Sequence, residues 1–238
     1  MSPPHIATPQ GEERRQEILR QSIDIFGEAG YGGARIDEVA RRVGIRRPSI
    51  LYHFPDKHSL YEAAVASIVN DIVDRVLATE GECQDRLESI ADVWIDFVIA
   101  RPNAARVLLR QMIDVNPIPM RNIQPAVQKL LSSIQAAIDE RSDLEDGKSA
   151  DATEFALVLS SASLVWVASH TAVEGAFGLD TMSPQSMRRH RRMLHVLTKQ
   201  LLTASAEASQ PDSSTKDSAG PARKSRPKSR KRKVDSKR

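Results

Sequence analysis

One cysteine, Cys83, stands among 238 residues, so the chain can close no internal disulfide and offers no thiolate set for zinc. The six histidines, His5, His53, His58, His170, His190 and His195, show no spacing that would ligate a metal. A glycine-rich phosphate loop, a GxSxG nucleophile elbow and paired metal motifs are all missing. An enzyme would have nothing to carry its chemistry, and no cofactor is called for. The opening MSPPHIATPQ lacks both a basic segment and an apolar one, so no secretory signal is expected and the reducing cytoplasm is the default location. The longest informative uncharged run, residues 155–173 (FALVLSSASLVWVASHTAV), could span a bilayer by length. Four serines, His170 and Thr171 dilute it, and a fully buried helix is expected rather than a membrane span.

What is present is helical patterning and an uneven charge. At 238 residues and 40% hydrophobic content the chain can bury a sizeable core as a soluble globular protein. The net charge of +3 conceals an asymmetry, because residues 223–238 hold ten Lys or Arg against one acid. That stretch carries +9 and leaves −6 on residues 1–222. The basic isoelectric point therefore belongs to the tail and is no argument that the folded part binds DNA.

The stretch Arg35 to Leu60, RIDEVARRVGIRRPSILYHFPDKHSL, does argue for it. Ile36, Val39, Ala40 and Val43 share one face of a short helix, and Gly44 follows where a helix stops. After that turn, Ile50 and Phe54 sit four apart and face inward, leaving Arg46, Arg47, Ser49, Tyr52 and His53 on the outer side of a second helix. A major groove admits one such helix, offers base-edge acceptors to arginine and is flanked by phosphates that accept from Arg, Lys, Ser and Tyr. The competing reading is a solvated charged helix face.

These residues carry a family signature. EAGY (Glu28 to Tyr31) ends a first helix, Ile36, Val39 and Ala40 mark a second, and VGI (Val43 to Ile45) forms the turn. Ser49 and Ile50, YHFPDK (Tyr52 to Lys57) and Leu60 complete the match. The stretch resembles the TetR family of bacterial transcription regulators. That resemblance implies an all-α fold with a three-helix DNA-binding head and a larger helical body, about nine helices in all, that dimerises and binds a small molecule. Two positions depart from the family pattern. Arg35 stands where a capping, phosphate-touching Thr or Ser is usual, and Leu51 stands at the usual phosphate-contacting Tyr, with Tyr52 beside it.

Along the chain we expect a flexible arm over residues 1–11, a head over 12–55, a body over 56–202 and a disordered basic tail over 203–238. The first helix runs about Glu12 to Ala29 with Gly30 as its stop, and Asp56 caps a long fourth helix from Lys57 to about Leu77. The remaining helices are expected over Glu82–Ala100, Asn103–Ile113, Ile123–Glu140, residues 155–173 and from Ser183 to about Leu202. By the resemblance, the last two helices pair with their copies in a homodimer, whose two recognition helices would match a palindromic operator on double-stranded DNA.

Arg47, Ser49 and His53 are the candidates for base edges, and Arg35, Arg46, Tyr52 and Lys57 for phosphates. Trp94, Phe97, Met112, Trp166 and His170 could line an apolar cavity in the body, or simply be core; their lack of charge favours a hydrophobic small-molecule effector. The expected function is a cytoplasmic, homodimeric, sequence-specific repressor released by that effector. Two other readings stay open: a nonspecific, tail-driven nucleoid-type DNA binder without effector, and a helical protein-interaction module.

Overall fold

The computed structural model describes residues 9–79, 86–115, 117–118, 121–140 and 151–208, with side chains placed up to residue 200. Among these, ten α-helices and one 3-10 turn are present and no strand. Helices α1 (Pro9–Gly33), α2 (Ile36–Val43) and α3 (Arg47–His53) form the head; α4 (Lys57–Leu77) leads out of it. The body adds α5 (Arg86–Ala100), α6 (Pro102–Ile113), the 3-10 turn Arg121–Ile123, α7 (Gln124–Asp139), α8 (Ala152–Ala168), α9 (His170–Phe177) and α10 (Pro184–Ala208).

Local chemistry accounts for the helix ends in the head. Gly44 closes α2 in the left-handed region at φ 72°, ψ 32°, a conformation that other residues adopt only with strain. The Asp56 side chain accepts from Ser59 N–H at 2.7 Å while Ser59 Oγ takes the Asp56 N–H, a capping box that fixes where α4 begins. Arg35 sits at the N-cap of α2 without a side-chain cap bond; Asp37 and Glu38 in the first turn supply negative charge at that helix end instead.

The core follows the apolar rows. Ile18, Leu19, Ile25 and Phe26 of α1 are buried against Val39, Ala40, Ile50 and Phe54, so both inward residues of the second helix are where their spacing puts them. Complete burial of Ile50 contributes about 1.5–3 kcal/mol. Helix α4 buries nine residues, including both rows Leu60, Ala64, Ile68, Ile72, Val76 and Tyr61, Val65, Val69, Val73. It therefore packs on several sides, against α1, α5, α6 and α7.

Two antiparallel pairings orient the body. Arg101 pairs with Asp71, and Arg75 lies 5.8 Å from the Phe97 ring, so α5 runs back along α4. Helix α10 in turn runs antiparallel to α5. Arg191 bonds Asp92 (2.7 Å) and Asp96, His195 lies 3.0 Å from Asp92, and Lys199 2.5 Å from Glu88.

The structure corrects several boundaries. Helix α1 begins at Pro9 and does not stop at Gly30: that residue takes φ 71°, ψ 171°, kinks the helix, and one further turn follows to Gly33. The uncharged run is not one buried helix. It breaks at Ser169, and α8 and α9 meet at 66°; none of α9 is buried. Ser169 Oγ bonds the Val165 carbonyl, satisfying the helix end at the break. Helix α10 continues past Leu202 to Ala208. No single described helix is long and apolar enough to cross a membrane; the bent α8–α9 pair passes only by length and composition. The expected arm through residue 8, the start of the fifth helix at 82–85 and the tail from residue 209 lie outside the described residues.

Candidate nucleic-acid interface

Helix α3 has seven residues, and its sequence divides them sharply. Ile50 is fully buried, whereas Arg47, Ser49 and Tyr52 are exposed, Tyr52 to 69%. Arg46, the N-cap of α3, is exposed beside them, and His53, half-buried, stacks edge-on to Tyr52 with 5.3 Å between ring centroids. Leu51 is half-buried, so of the neighbouring pair it is Tyr52 whose side chain stands outward. Arg35 is exposed at the start of α2. The described head thus presents Arg35, Arg46, Arg47, Ser49 and Tyr52 outward around one short helix.

The cations are not equally available. Arg47 donates to Asp37 at 3.1 Å across the turn. Arg42 bridges Glu28 of α1 (2.6 Å) and Glu38 of α2 (3.1 Å), and Arg41 also donates to Glu38 (2.6 Å). Hydrogen bonds from Arg41 and then Arg42 hold the Glu38 carboxyl down to about 2; Glu28 is lowered by Arg42. Arg35 and Arg46 have no carboxylate partner among the described residues. Lys57, first in α4, lies 4.6 Å from the centre of the Tyr31 ring and donates to the Gly32 carbonyl at 3.3 Å. Its ammonium is parked against the end of α1, a cation–π contact.

Sequence reasoning missed these partners for different reasons. Glu38 with Arg41 and Arg42 has the i+3, i+4 spacing of helix pairs and was readable. Asp37 to Arg47 and Lys57 to Tyr31 cross between elements, and only the fold creates them.

Head and body are joined chiefly through α1 and α6. At Gly27 an added Cβ would lie 2.6–2.7 Å from Asn103 backbone and side-chain atoms, so the two helices touch with only a hydrogen between them. Asn103 donates to Asp24 at 3.0 Å, and Arg110 donates to the Phe26 and Gly27 carbonyls, each at 2.8 Å. A cavity of about 450 Å³ opens beside this contact, lined by Arg20, Asp24, Asp71, Arg101 and Asn103 among others. A second, of about 380 Å³, lies under Phe26, Tyr31 and Tyr61.

The five body candidates are spread out. Trp94 is half-buried and donates to Ser163 at 2.6 Å; Phe97 is buried with Arg101 4.9 Å from its ring centre. Trp166 donates to the Thr181 carbonyl at 3.1 Å and stacks on His190, 4.2 Å away and nearly parallel. Met112 is exposed near the end of α6, and His170 is half-buried at the start of α9, its ring 3.2 Å from Thr171 Oγ1. None of the five lines either cavity at the head–body junction. Among the described residues no group of His, Cys, Asp and Glu is arranged to hold a metal.

A seven-residue helix that displays arginine, serine and tyrosine, carried by a three-helix head on an all-helical body, defines the helix-turn-helix class of DNA-binding regulators. Comparison with known proteins narrows the class. A family model described as bacterial regulatory proteins, tetR family, matches residues 18–64, the head and the first turns of α4. The activator FasR of Mycolicibacterium smegmatis is 26% identical over 137 residues, 56% of this chain and 63% of that protein. The chain thus spans less than two thirds of that relative's length. A tetR-family regulator from Streptomyces coelicolor has the same fold at TM-score 0.59 and 23% identity, over 83% of both chains. Bacillus subtilis FadR, solved with stearoyl-CoA, does so at TM-score 0.61 and 12% identity, over 79% of this chain and 98% of its own. The head, residues 18–64, thus matches the tetR family of bacterial regulatory proteins, and the described fold is the one that tetR-family regulators share.

Proposed function

We propose that the chain acts as a homodimeric repressor that holds a palindromic operator through α3 of each copy and releases it when a small hydrophobic molecule enters the body. The observation carrying the DNA reading is the two-sidedness of α3, with Ile50 fully buried and Arg47, Ser49 and Tyr52 exposed beside Arg46. Arg47, Ser49 and His53 read base edges in this proposal; Arg35, Arg46, Tyr52 and Lys57 hold phosphates. Operator binding then requires Arg47 to leave Asp37 and Lys57 to leave Tyr31, exchanging a partner within the head for one on DNA.

Dimerisation is supported by the apolar residues left exposed on the last helices, Leu157 and Val165 of α8 and Met193 and Val196 of α10. The release step draws support from the fold's likeness to FadR, whose structure holds stearoyl-CoA. Trp94, Phe97, Met112, Trp166 and His170 remain the proposed contacts of that effector. Cytoplasmic location follows from the same reading.

Selection of bound duplexes from random DNA by the purified protein tests the proposal, with a short palindrome as the expected product. Absence of any enriched sequence would overturn it. Trp94 and Trp166 are the only two tryptophans, so their fluorescence reports ligand entry. A hydrophobic ligand that shifts that emission while leaving the operator complex intact would refute the release step.

A further inference from the structure

We propose that the cavity beneath Tyr31, where head meets body, binds a small aromatic carboxylate, and that the bound anion keeps Lys57 from the operator phosphates. The site is separate from the effector contacts proposed above, since none of those five residues lines it. Only its effect on DNA rests on the operator-binding reading.

Three elements build the cavity, and they are the ones that set how the head sits on the body. The last turn of α1 supplies Tyr31 and Gly32, because the kink at Gly30 turns the chain there. The second turn of α4 supplies Tyr61, and the last turn of α6 supplies Arg110, Gln111 and Ile113. Tyr31 and Ile113, at 38% and 69% exposure, mark where it opens to solvent. Its volume of about 380 Å³ falls in the range of small-molecule sites.

The walls select the body of the ligand. The Tyr61 ring stands edge-on to Phe26, with 4.9 Å between centroids, and to Tyr31 at 5.1 Å. The wall therefore combines ring faces with ring edges, on which a flat aromatic group finds partners that an aliphatic chain does not.

The charges select its head group. Arg110 spends Nη1 on the carbonyls of Phe26 and Gly27, each at 2.8 Å, and its Nε and Nη2 hydrogens meet no acceptor among the described residues. The guanidinium lies against the kink, where a Cβ at Gly30 would sit 3.8 Å from it. A fixed edge of donors of this kind matches a carboxylate. Lys57 adds a second cation. Its ammonium donates to the Gly32 carbonyl at 3.3 Å and lies 4.6 Å from the centre of the Tyr31 ring, and both residues belong to the cavity wall. Asp114 is the carboxylate on the described lining, so these three groups sum to +1 and favour an anion.

The consequence for DNA follows from Lys57. On the operator its ammonium leaves Tyr31 for a phosphate, whereas an anion seated between it and Arg110 gives it an ion partner where it already is. Ligand and operator compete for one ammonium, and binding of either weakens the other.

Tyr31, Tyr52 and Tyr61 are the three tyrosines of the chain, which makes the site visible without any substitution. Full-length protein labelled at tyrosine is titrated by NMR with benzoate, 2-naphthoate and 9-anthroate, each beside the corresponding primary alcohol. We expect at least one carboxylate to shift the Tyr31 and Tyr61 signals while Tyr52, on α3, stays in place, and to bind about tenfold tighter than its alcohol. Arg110→Gln should abolish that preference and leave affinity for the alcohol unchanged. Should this variant lose the alcohol as well, the preference is read in Lys57→Gln, where it should narrow at least threefold. Operator affinity of the unsubstituted protein should fall about tenfold at saturating carboxylate, and that of Lys57→Gln by less than twofold. Tyr31 and Tyr61 signals unmoved by all three carboxylates would overturn the site, and so would equal affinity for carboxylate and alcohol, or a preference that survives both substitutions. Shifts at Tyr31 and Tyr61 with operator affinity unchanged, or an equal fall in Lys57→Gln, would overturn the link to DNA. If no form of the protein binds any operator, the operator reading fails while the tyrosine signals still decide the site.

Discussion

Single side chains decide two properties of this protein that can be measured separately. Arg47 is the exposed arginine of α3 that is held, at 3.1 Å, by a carboxylate from another helix. Arg47→Ala is expected to weaken operator binding by about 1–3 kcal/mol and relax base preference, with little change on random DNA, as competition binding would show. An equal loss on both would make Arg47 a phosphate contact only. His190 is the other case. It is 4% exposed, stacked on Trp166, and neither ring nitrogen has a hydrogen-bond partner. Burial pulls its pKa down to about 4 from an ordinary 6.5. Because the unfolded chain takes up the proton first, stability contributed by neutral His190 is complete above about pH 6.5 and is lost as pH falls toward 4. The loss amounts to roughly 2–3 kcal/mol. His190→Phe, which keeps the stack and removes the orphaned nitrogens, should flatten the dependence of denaturation midpoint on pH between 4 and 7 and leave the protein at least as stable at pH 7. An unchanged slope would place the acid sensitivity elsewhere.

At the scale of elements, the junction of α1 and α6 depends on one missing side chain. Gly27→Ala would put a methyl group 2.6–2.7 Å from Asn103, so the helices must separate. A loss of about 1–3 kcal/mol in stability is expected, together with weaker dependence of operator affinity on effector, both measurable by denaturant unfolding and DNA titration with and without ligand. The sequence made much of this scale legible. Ile36, Val39 and Ala40 at helical spacing, Gly44 as a stop, Asp56 as a cap and the inward pair Ile50 and Phe54 describe the head almost as it stands, because local spacing and turn chemistry dictate those features. What was not legible depended on pairs distant in the chain. Gly27 looks like an ordinary glycine until Asn103 is brought against it, and nothing local predicts that the run over 155–173 bends at Ser169. The kink at Gly30 was mistaken for a stop because a positive φ ends a helix or only interrupts it, depending on whether the next residues return to helical angles. The five candidates for an apolar cavity share a lack of charge, which does not by itself distinguish buried Phe97 from exposed Met112.

For the whole molecule the proposed dimer supplies the clearest test. Val165 is half exposed on α8, and Val165→Lys should shift sedimentation from dimer to monomer and abolish tight binding to a two-half-site operator, while a single half-site is bound as before. A dimer that persists would locate the contact on another face. The charge layout has a further consequence, in time rather than in affinity. Between residues 12 and 57 the head carries nine basic and eight acidic residues, and Arg41, Arg42 and Arg47 already have carboxylate partners. Such a head exerts little long-range pull on a phosphate backbone. Its encounters with the operator should therefore run near the unsteered rate of about 10⁵–10⁶ M⁻¹s⁻¹ and respond weakly to ionic strength. Reoccupation of an emptied operator would then be paced by how many copies of the protein the cell holds.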